Sequence, residues 1–231
     1  MRFVRSMGDA KEESSRLLVI GAPRSGTRYF ARWLRGLGLR VGHERMGLDA
    51  CVSSYFVVDD FWYQGPHGRS GERRSGYRWG EVWHLVRDPL RTIPSIASMR
   101  HRSWWHWQSK HTGVDLCDEP QRVTAARFWV AWTERCLVDP EVTLRIPLER
   151  LWTFAPEILR HLELLPPERW PSVDRSESKT LHAPLSLDEL PDALATKIER
   201  LRSRAWEDLC PPSLTHFSAQ SRVESSLGIT V

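Results

Sequence analysis

Apolar and polar residues along the chain fall into blocks that switch between two periods. Arg16-Leu-Leu-Val-Ile-Gly21 is an unbroken apolar run closed by glycine, the pattern of a strand buried on both faces. A loop of small residues, Ala22 to Thr27, follows it. Tyr29, Phe30, Trp33, Leu34 and Leu37 then recur at intervals of three and four, which predicts an amphipathic helix stopped by Gly38. Leu39 to Gly42, Glu81 to Val86 and Val142 to Ile146 predict three more strands. Pro89 opens a helix carrying Ile93, Ile96 and Met99, and Pro94 predicts that its first turns are irregular. Further helices are expected over Thr124 to Leu137, from about Pro156 to Leu164 before Pro166-Pro167, and from about Asp192 to Leu209. Gly65 to Gly80 and Ser172 to Thr180 read as loops, and His101 to Pro120 as a polar and aromatic connection.

Strands alternating with helices predict an α/β fold: a central, mainly parallel sheet flanked by helices. No internal repeat or composition break divides the chain, so residues 1–231 are expected to form one domain, with residues 1–15 a flexible, polar N-terminal segment. Ligands in such sheets bind beyond the carboxyl ends of the strands, so chemistry is sought there.

Composition narrows the function classes. The chain is 41% hydrophobic and 27% charged, a folded rather than a disordered balance. Its net charge of +4 comes almost wholly from arginine, since Lys11, Lys110, Lys179 and Lys197 are the only lysines. A mild basic excess without runs of like charge suits an anionic ligand and argues against nucleic acid. No apolar stretch is long enough to span a bilayer and no secretory leader precedes the first strand, so no membrane insertion is expected. Cys51, Cys117, Cys136 and Cys210 show neither CxxC nor zinc spacing, which makes a reduced, cytoplasmic location the expectation. His101, His106 and His111 match no metal-binding pattern, and no metal is expected. Twelve tryptophans are many for this length. Trp104, Trp105 and Trp107 suit either a core or an aromatic platform for a sugar or flat acceptor.

Candidate chemistry concentrates after two strands. Gly21-Ala-Pro-Arg-Ser-Gly-Thr27 joins the first strand to the first helix, where backbone N–H groups and the helix dipole favour an anion. Gly26 permits close approach, Ser25 and Thr27 add hydroxyls, and Arg24 adds a fixed charge. The spacing from Gly21 to Gly26 matches a Walker A loop, yet Thr27 stands where that loop places its lysine, which argues against a nucleotide triphosphatase or kinase. Arg87 leaves the Glu81 to Val86 strand and Ser95 lies eight residues on. An arginine and a serine so placed can converge on a second phosphate.

Pro23-Arg-Ser-Gly-Thr27, together with Arg87 and Ser95, resembles the motifs of the sulfotransferases that use 3′-phosphoadenosine 5′-phosphosulfate (PAPS). That family has a PKSGTT or PRSGTT loop after its first strand, and an arginine and serine eight residues apart at a later one. The segment Leu144 to Leu151 resembles the family's later strand more loosely, so the likeness covers most of residues 16–151. It departs from the family in carrying Arg28 in place of a second threonine and in lacking an RKG-type motif near the C-terminus. The resemblance implies a fold like that of the P-loop nucleotide hydrolases and PAPS as cosubstrate, with no metal. By the same resemblance, Pro23, Arg24, Ser25, Gly26, Thr27 and Arg28 hold the 5′-phosphosulfate and Arg87 and Ser95 the 3′-phosphate, with Ser178 and Lys179 candidates to close over the nucleotide.

Sulfuryl transfer requires charge stabilisation on the leaving group and removal of a proton from the acceptor. Arg24 is the candidate for the first. Glu44, or else His43, in Val41-Gly-His-Glu44 is the candidate base, because the resemblance places a glutamate in this neighbourhood in some members. The alternative for Glu44 is pairing with Arg40 or Arg45. A carbohydrate or a small metabolite is the expected acceptor. The competing classes are a P-loop kinase or hydrolase and a non-catalytic nucleotide-binding module.

Overall fold

The structure, a computed structural model, describes residues 17–59, 73–100, 102–115, 119–172 and 182–207. Ser178 and Lys179, the first half of the Gly65 to Gly80 loop, and the N-terminal segment lie outside the described residues. Five strands form one sheet: β1 (Leu17–Ile20), β2 (Val41–His43), β3 (Ala50–Ser53), β4 (Glu81–Val86) and β5 (Val142–Pro147). Their order is β2-β3-β1-β4-β5, and every neighbouring pair is parallel. The helices are α1 (Thr27–Gly36), α2 (Pro89–Ala97), α3 (Arg102–Thr112), α4 (Gln121–Val138), α5 (Leu151–His161) and α6 (Asp192–Glu207). The expected α/β architecture with a parallel sheet flanked by helices is therefore present.

Alternate residues of β1 serve opposite layers. Leu17 and Val19 join Phe30, Trp33 and Leu34 of α1 and Phe154 and Ile158 of α5 in one core. Leu18 and Ile20 face the other way, with Cys51, Val82 and Cys136 of α4. Both faces of β1 are thus buried, which is why its sequence is an unbroken apolar run with no alternation. A third cluster packs α2, α3, α4 and α6 together on the α4 side. No described helix is long and apolar enough to cross a membrane.

The register fixes which loops share an edge. Ile20 lies opposite Ser53 on one side and His84 on the other, and His43 lies opposite Val52. The loops leaving β1, β2, β3 and β4 therefore emerge together. After β1 the chain passes through α1 on one face, and after β4 it passes through α2 to α4 on the other. Such a reversal at adjacent strands opens a crevice at their carboxyl ends.

Three local expectations are corrected, and β3 is a strand not identified from the sequence. β3 carried no periodic signal, because it has four residues, all buried. The connection from His101 to Pro120 contains α3, whose Trp104 and Trp107 are buried against Phe128 and Trp132 of α4. They are core, not a platform, and packing overrode the weak polar pattern. α5 begins at Leu151, ahead of Pro156, which sits inside the helix and leaves the carbonyl of Trp152, a residue 46% exposed, without its intrahelical donor. α2 is regular through Pro94: the Leu90 carbonyl that a residue-94 N–H would have met instead accepts the Leu185 N–H at 2.8 Å. Asp88 caps α2 through the Leu90 N–H at 3.2 Å, with Pro89 at its first position.

His84 sits in the middle of β4 with 1% of its surface exposed, and its Nδ1 has no hydrogen-bond partner among the described residues. Burial, helped by repulsion from Arg145, pushes its imidazole from the ordinary 6.5 down to about 3. Above pH 6.5 the ring is neutral folded or unfolded. Below it the unfolded chain takes up a proton that the folded chain refuses, so stability falls as pH falls. Urea unfolding should show about 2 kcal/mol of stability lost between pH 7 and pH 5 beyond that lost by His84→Leu. Parallel curves for the two proteins would show that the ring is accessible to protons in the folded state.

Candidate functional site

The loop after β1 is built on two positive backbone angles. Arg24 has φ 66° and Gly26 has φ 89°, on either side of Ser25. This curls the chain in the manner of anion-binding nests, next to the first turn of α1, whose leading N–H groups have no partner within the helix. For Arg24, a residue with a Cβ, the left-handed conformation costs about 1–2 kcal/mol. The Ser25 N–H closes the turn onto the Ala22 carbonyl at 3.0 Å. Its hydroxyl is buried against Gly21 and has no hydrogen-bond partner among the described residues. An orphaned buried hydroxyl inside such a curl fits an anion as its missing partner.

Arg24 and Arg87 bind this loop to the neighbouring strand. Arg24 Nε donates to Ser95 Oγ at 3.0 Å, and Arg87 donates to the Arg24 carbonyl at 3.0 Å. Ser95 is 7% exposed on the inner face of α2. The two motifs, 71 residues apart, thus meet in one place. Neither guanidinium forms an ion pair with a carboxylate among the described residues. Burial pushes the Arg24 guanidinium below its ordinary value. Burial does the same to Arg87, where Glu149 opposes the shift and Arg91 and Arg24 add to it. Two cations so close to each other, Arg24 exposed and Arg87 half-buried, favour a bound anion. Pro23 is buried and Arg28 exposed at the start of α1.

Glu44 follows β2 in a left-handed conformation, φ 52°, and turns its carboxylate toward the end of β3. It accepts hydrogen bonds from the Ser53 hydroxyl at 2.6 Å, the Ser54 N–H at 3.1 Å and the Ser54 hydroxyl at 3.0 Å. Burial raises its pKa above the ordinary value, and the serine hydrogen bonds oppose that shift. Neither Arg40 nor Arg45 is its partner: the Arg40 side chain binds Asp49 through two hydrogen bonds, at 2.9 and 3.1 Å. His43 lies between Glu44 and the loop, with Nε2 at 3.1 Å from Thr27 Oγ1 and 3.7 Å from Glu44 Oε1.

The structure brings Arg24, Ser25, Gly26, Thr27, Arg87 and Ser95 to one crevice, and links His43 and Glu44 to it through Thr27. Sequence reasoning did not find Ser53 and Ser54, which hold Glu44. Their only signal was the polar pair ending a strand too short to be seen. It also passed over Leu148, which packs on Gly26, and Glu149, which accepts the Asp88 N–H at 3.1 Å. A separate concavity of about 680 Å³ lies at the ends of α3, α4 and α6, beside Arg135, Arg200 and Arg204. Arg135 and Arg204 sit in last turns, where the helix dipole favours cations, so that concavity has a structural explanation.

No protein-family model matches the chain, and a search of the curated proteins finds no match either. The fold and the geometry define a parallel α/β protein with an arginine-flanked, nest-like loop at its topological switch point.

A Cβ on Gly26 would stand 2.3 Å from Leu148 Cδ2. Gly26→Ala should cost about 1–2 kcal/mol for the backbone angle and about 1–3 kcal/mol for the clash, read by urea unfolding. Adding Leu148→Ala should return only the clash share. Unchanged stability in Gly26→Ala would mean that the loop relaxes out of the left-handed conformation.

Proposed function

We propose that the chain is a sulfotransferase that transfers a sulfuryl group from PAPS to an acceptor hydroxyl or amine, a carbohydrate or small metabolite, on a P-loop-like α/β scaffold. The observation that carries this reading is the hydrogen bond between Arg24 and Ser95. It joins the motif that resembles a 5′-phosphosulfate loop to the one that resembles a 3′-phosphate site. Beside it stand two arginines without a carboxylate partner among the described residues.

When bound, the nucleotide supplies the sulfur electrophile: the acceptor atom bonds to sulfur as the bridging S–O bond breaks, releasing adenosine 3′,5′-bisphosphate (PAP). In this reading Gly26, Thr27 and Arg28 cradle the 5′ end through backbone N–H groups and Ser25 and Thr27 through hydroxyls, while Pro23, which has no N–H, shapes the entry to the loop. Arg87 and Ser95 take the 3′-phosphate, the arginine by a charged fork and the serine by its hydroxyl. Arg24 remains charged despite its lowered pKa and holds the charge that develops on the leaving oxygen. Glu44 takes the acceptor's proton, and the upward push that burial gives its pKa makes it a stronger base than an exposed glutamate. His43 is the alternative base. The absence of the Walker lysine at Thr27 weighs against transfer of a terminal phosphate from ATP.

PAP at about a hundred times its dissociation constant should stabilise the protein by about 2.7 kcal/mol, a rise in unfolding temperature of roughly 5–10 °C. AMP and ATP at the same concentration should give little. A rise with ATP alone would favour a kinase or hydrolase, and none with any nucleotide would remove PAPS from the reading.

Cleavage of PAPS to PAP and sulfate needs no added acceptor and separates binding from chemistry. Glu44→Gln should lower kcat by about 10²-fold or more with PAP affinity kept. Arg24→Ala should lower kcat more than it weakens PAP. Near-normal turnover in Glu44→Gln would assign that carboxylate to holding Ser53 and Ser54 instead.

A further inference from the structure

Thr27 is the first residue of α1 and is buried, and its hydroxyl has one hydrogen-bond partner among the described residues, His43 Nε2 at 3.1 Å. A hydroxyl has one hydrogen to give and lone pairs to receive. Its partner therefore decides what it can offer an anion. If Nε2 carries no hydrogen, the threonine hydrogen points at the imidazole and a lone pair faces the loop, which repels an anion. If Nε2 carries the hydrogen, the threonine oxygen accepts it and its own hydrogen is free to point elsewhere.

The surroundings of Nε2 choose between these. Glu44 Oε1 lies 3.7 Å from the same nitrogen, so hydrogen on Nε2 faces a carboxyl oxygen as well as the threonine. That carboxyl group is itself fixed by Ser53 and Ser54 at the end of β3. A lone pair on Nε2 would confront those oxygens, which is electrostatically unfavourable. The imidazole ring is held at the end of β2, whose register with β3 places it one residue short of that serine pair.

We propose that His43 is a positioning residue for anion binding: its Nε2–H donates to Thr27 Oγ1 and so directs the Thr27 hydroxyl hydrogen into the curl of the Gly21 to Thr27 loop. This deepens the functional reading and rests on that loop binding a phosphate-bearing ligand. It also gives His43 a role other than proton abstraction, because its Nε2 is committed to Thr27. Glu44, His43 and Thr27 then form a line of groups passing from the end of β3 to the anion site.

The test is a double-mutant cycle on ligand binding by calorimetry, with PAP and with inorganic pyrophosphate, at fixed pH and salt. Thr27→Val and His43→Phe should each weaken binding about tenfold. The double variant should bind no more weakly than Thr27→Val alone. His43→Gln, which can present an N–H where Nε2 stood, should restore affinity to near wild type, whereas His43→Asn, with its amide one bond shorter, should not. The Gln and Asn variants carry the test should His43→Phe fail to fold, and an unfolding curve without ligand identifies that case. Wild-type affinity in His43→Phe, multiplied losses in the double variant, or equal affinities for the Gln and Asn variants would each overturn the proposal. Wild-type protein that binds pyrophosphate but not PAP would sink the PAPS reading, and the same cycle would then decide His43 with pyrophosphate. Binding of neither would overturn both.

Discussion

The hydrogen bond from the Arg87 guanidinium to the Arg24 carbonyl is the contact on which the site's geometry turns. It spans adjacent parallel strands at the point where the chain reverses direction across the sheet. A parallel sheet leaves the loops at its carboxyl edge without partners from the sheet itself, so something must hold them. Here a cation does so from β4 while Arg24, in a left-handed conformation, presents its carbonyl to it. The side chain of Arg24 then reaches Ser95 on α2. One residue thereby fixes the loop through its backbone and the next helix through its side chain. The strain of a left-handed arginine is tolerated because both ends are bound.

Charge placement around the crevice is uneven. The nearby acids are already engaged: Glu44 by serines, Asp49 by Arg40, and Asp88 as a helix cap. Glu149 acts on Arg87 through space and takes the Asp88 N–H rather than a direct ion pair. The result is a pair of neighbouring cations, Arg24 exposed and Arg87 half-buried, with no carboxylate paired to either among the described residues.

Most of the scaffold was legible in the sequence because its signals were local. β1 and β4 are apolar runs, α1 has a clean three-and-four period with Gly38 at φ 92° behind it, and Asp88-Pro89 is a helix start in two letters. What escaped was decided by tertiary contact. β3 is four residues, too short for any period, and only its pairing on both sides makes it a strand. α3 has polar residues interleaved with tryptophan, and it becomes a helix with an inner face only when α4 is beside it. The site divides the same way. Gly26, Arg24 and the Arg87–Ser95 spacing were visible as motifs. The serines that grip Glu44 were not, because a hydrogen bond between residues on neighbouring strands leaves no pattern along one chain.

The tryptophans carry the last step. Read as a platform, Trp104 to Trp107 would belong to an acceptor, yet Trp107 meets Tyr55 edge to face at 5.1 Å and packs on Trp132 at 5.5 Å. Trp132, fully buried, donates its Nε1–H to the Ser54 carbonyl at 3.0 Å. Ser54 is one of the two serines that hold Glu44. A large rigid ring with a single donor suits that position, because it fills the space between α4 and the sheet and commits its only polar atom to one carbonyl. The aromatic residues therefore act on the crevice from behind. They lock the turn after β3, the turn sets the carboxyl group, the carboxyl group sets His43, and His43 sets the hydroxyl that faces the loop. Aromatic mass in this protein is a brace for polar geometry, and its position on the inner side of α3 follows from the turn it must support.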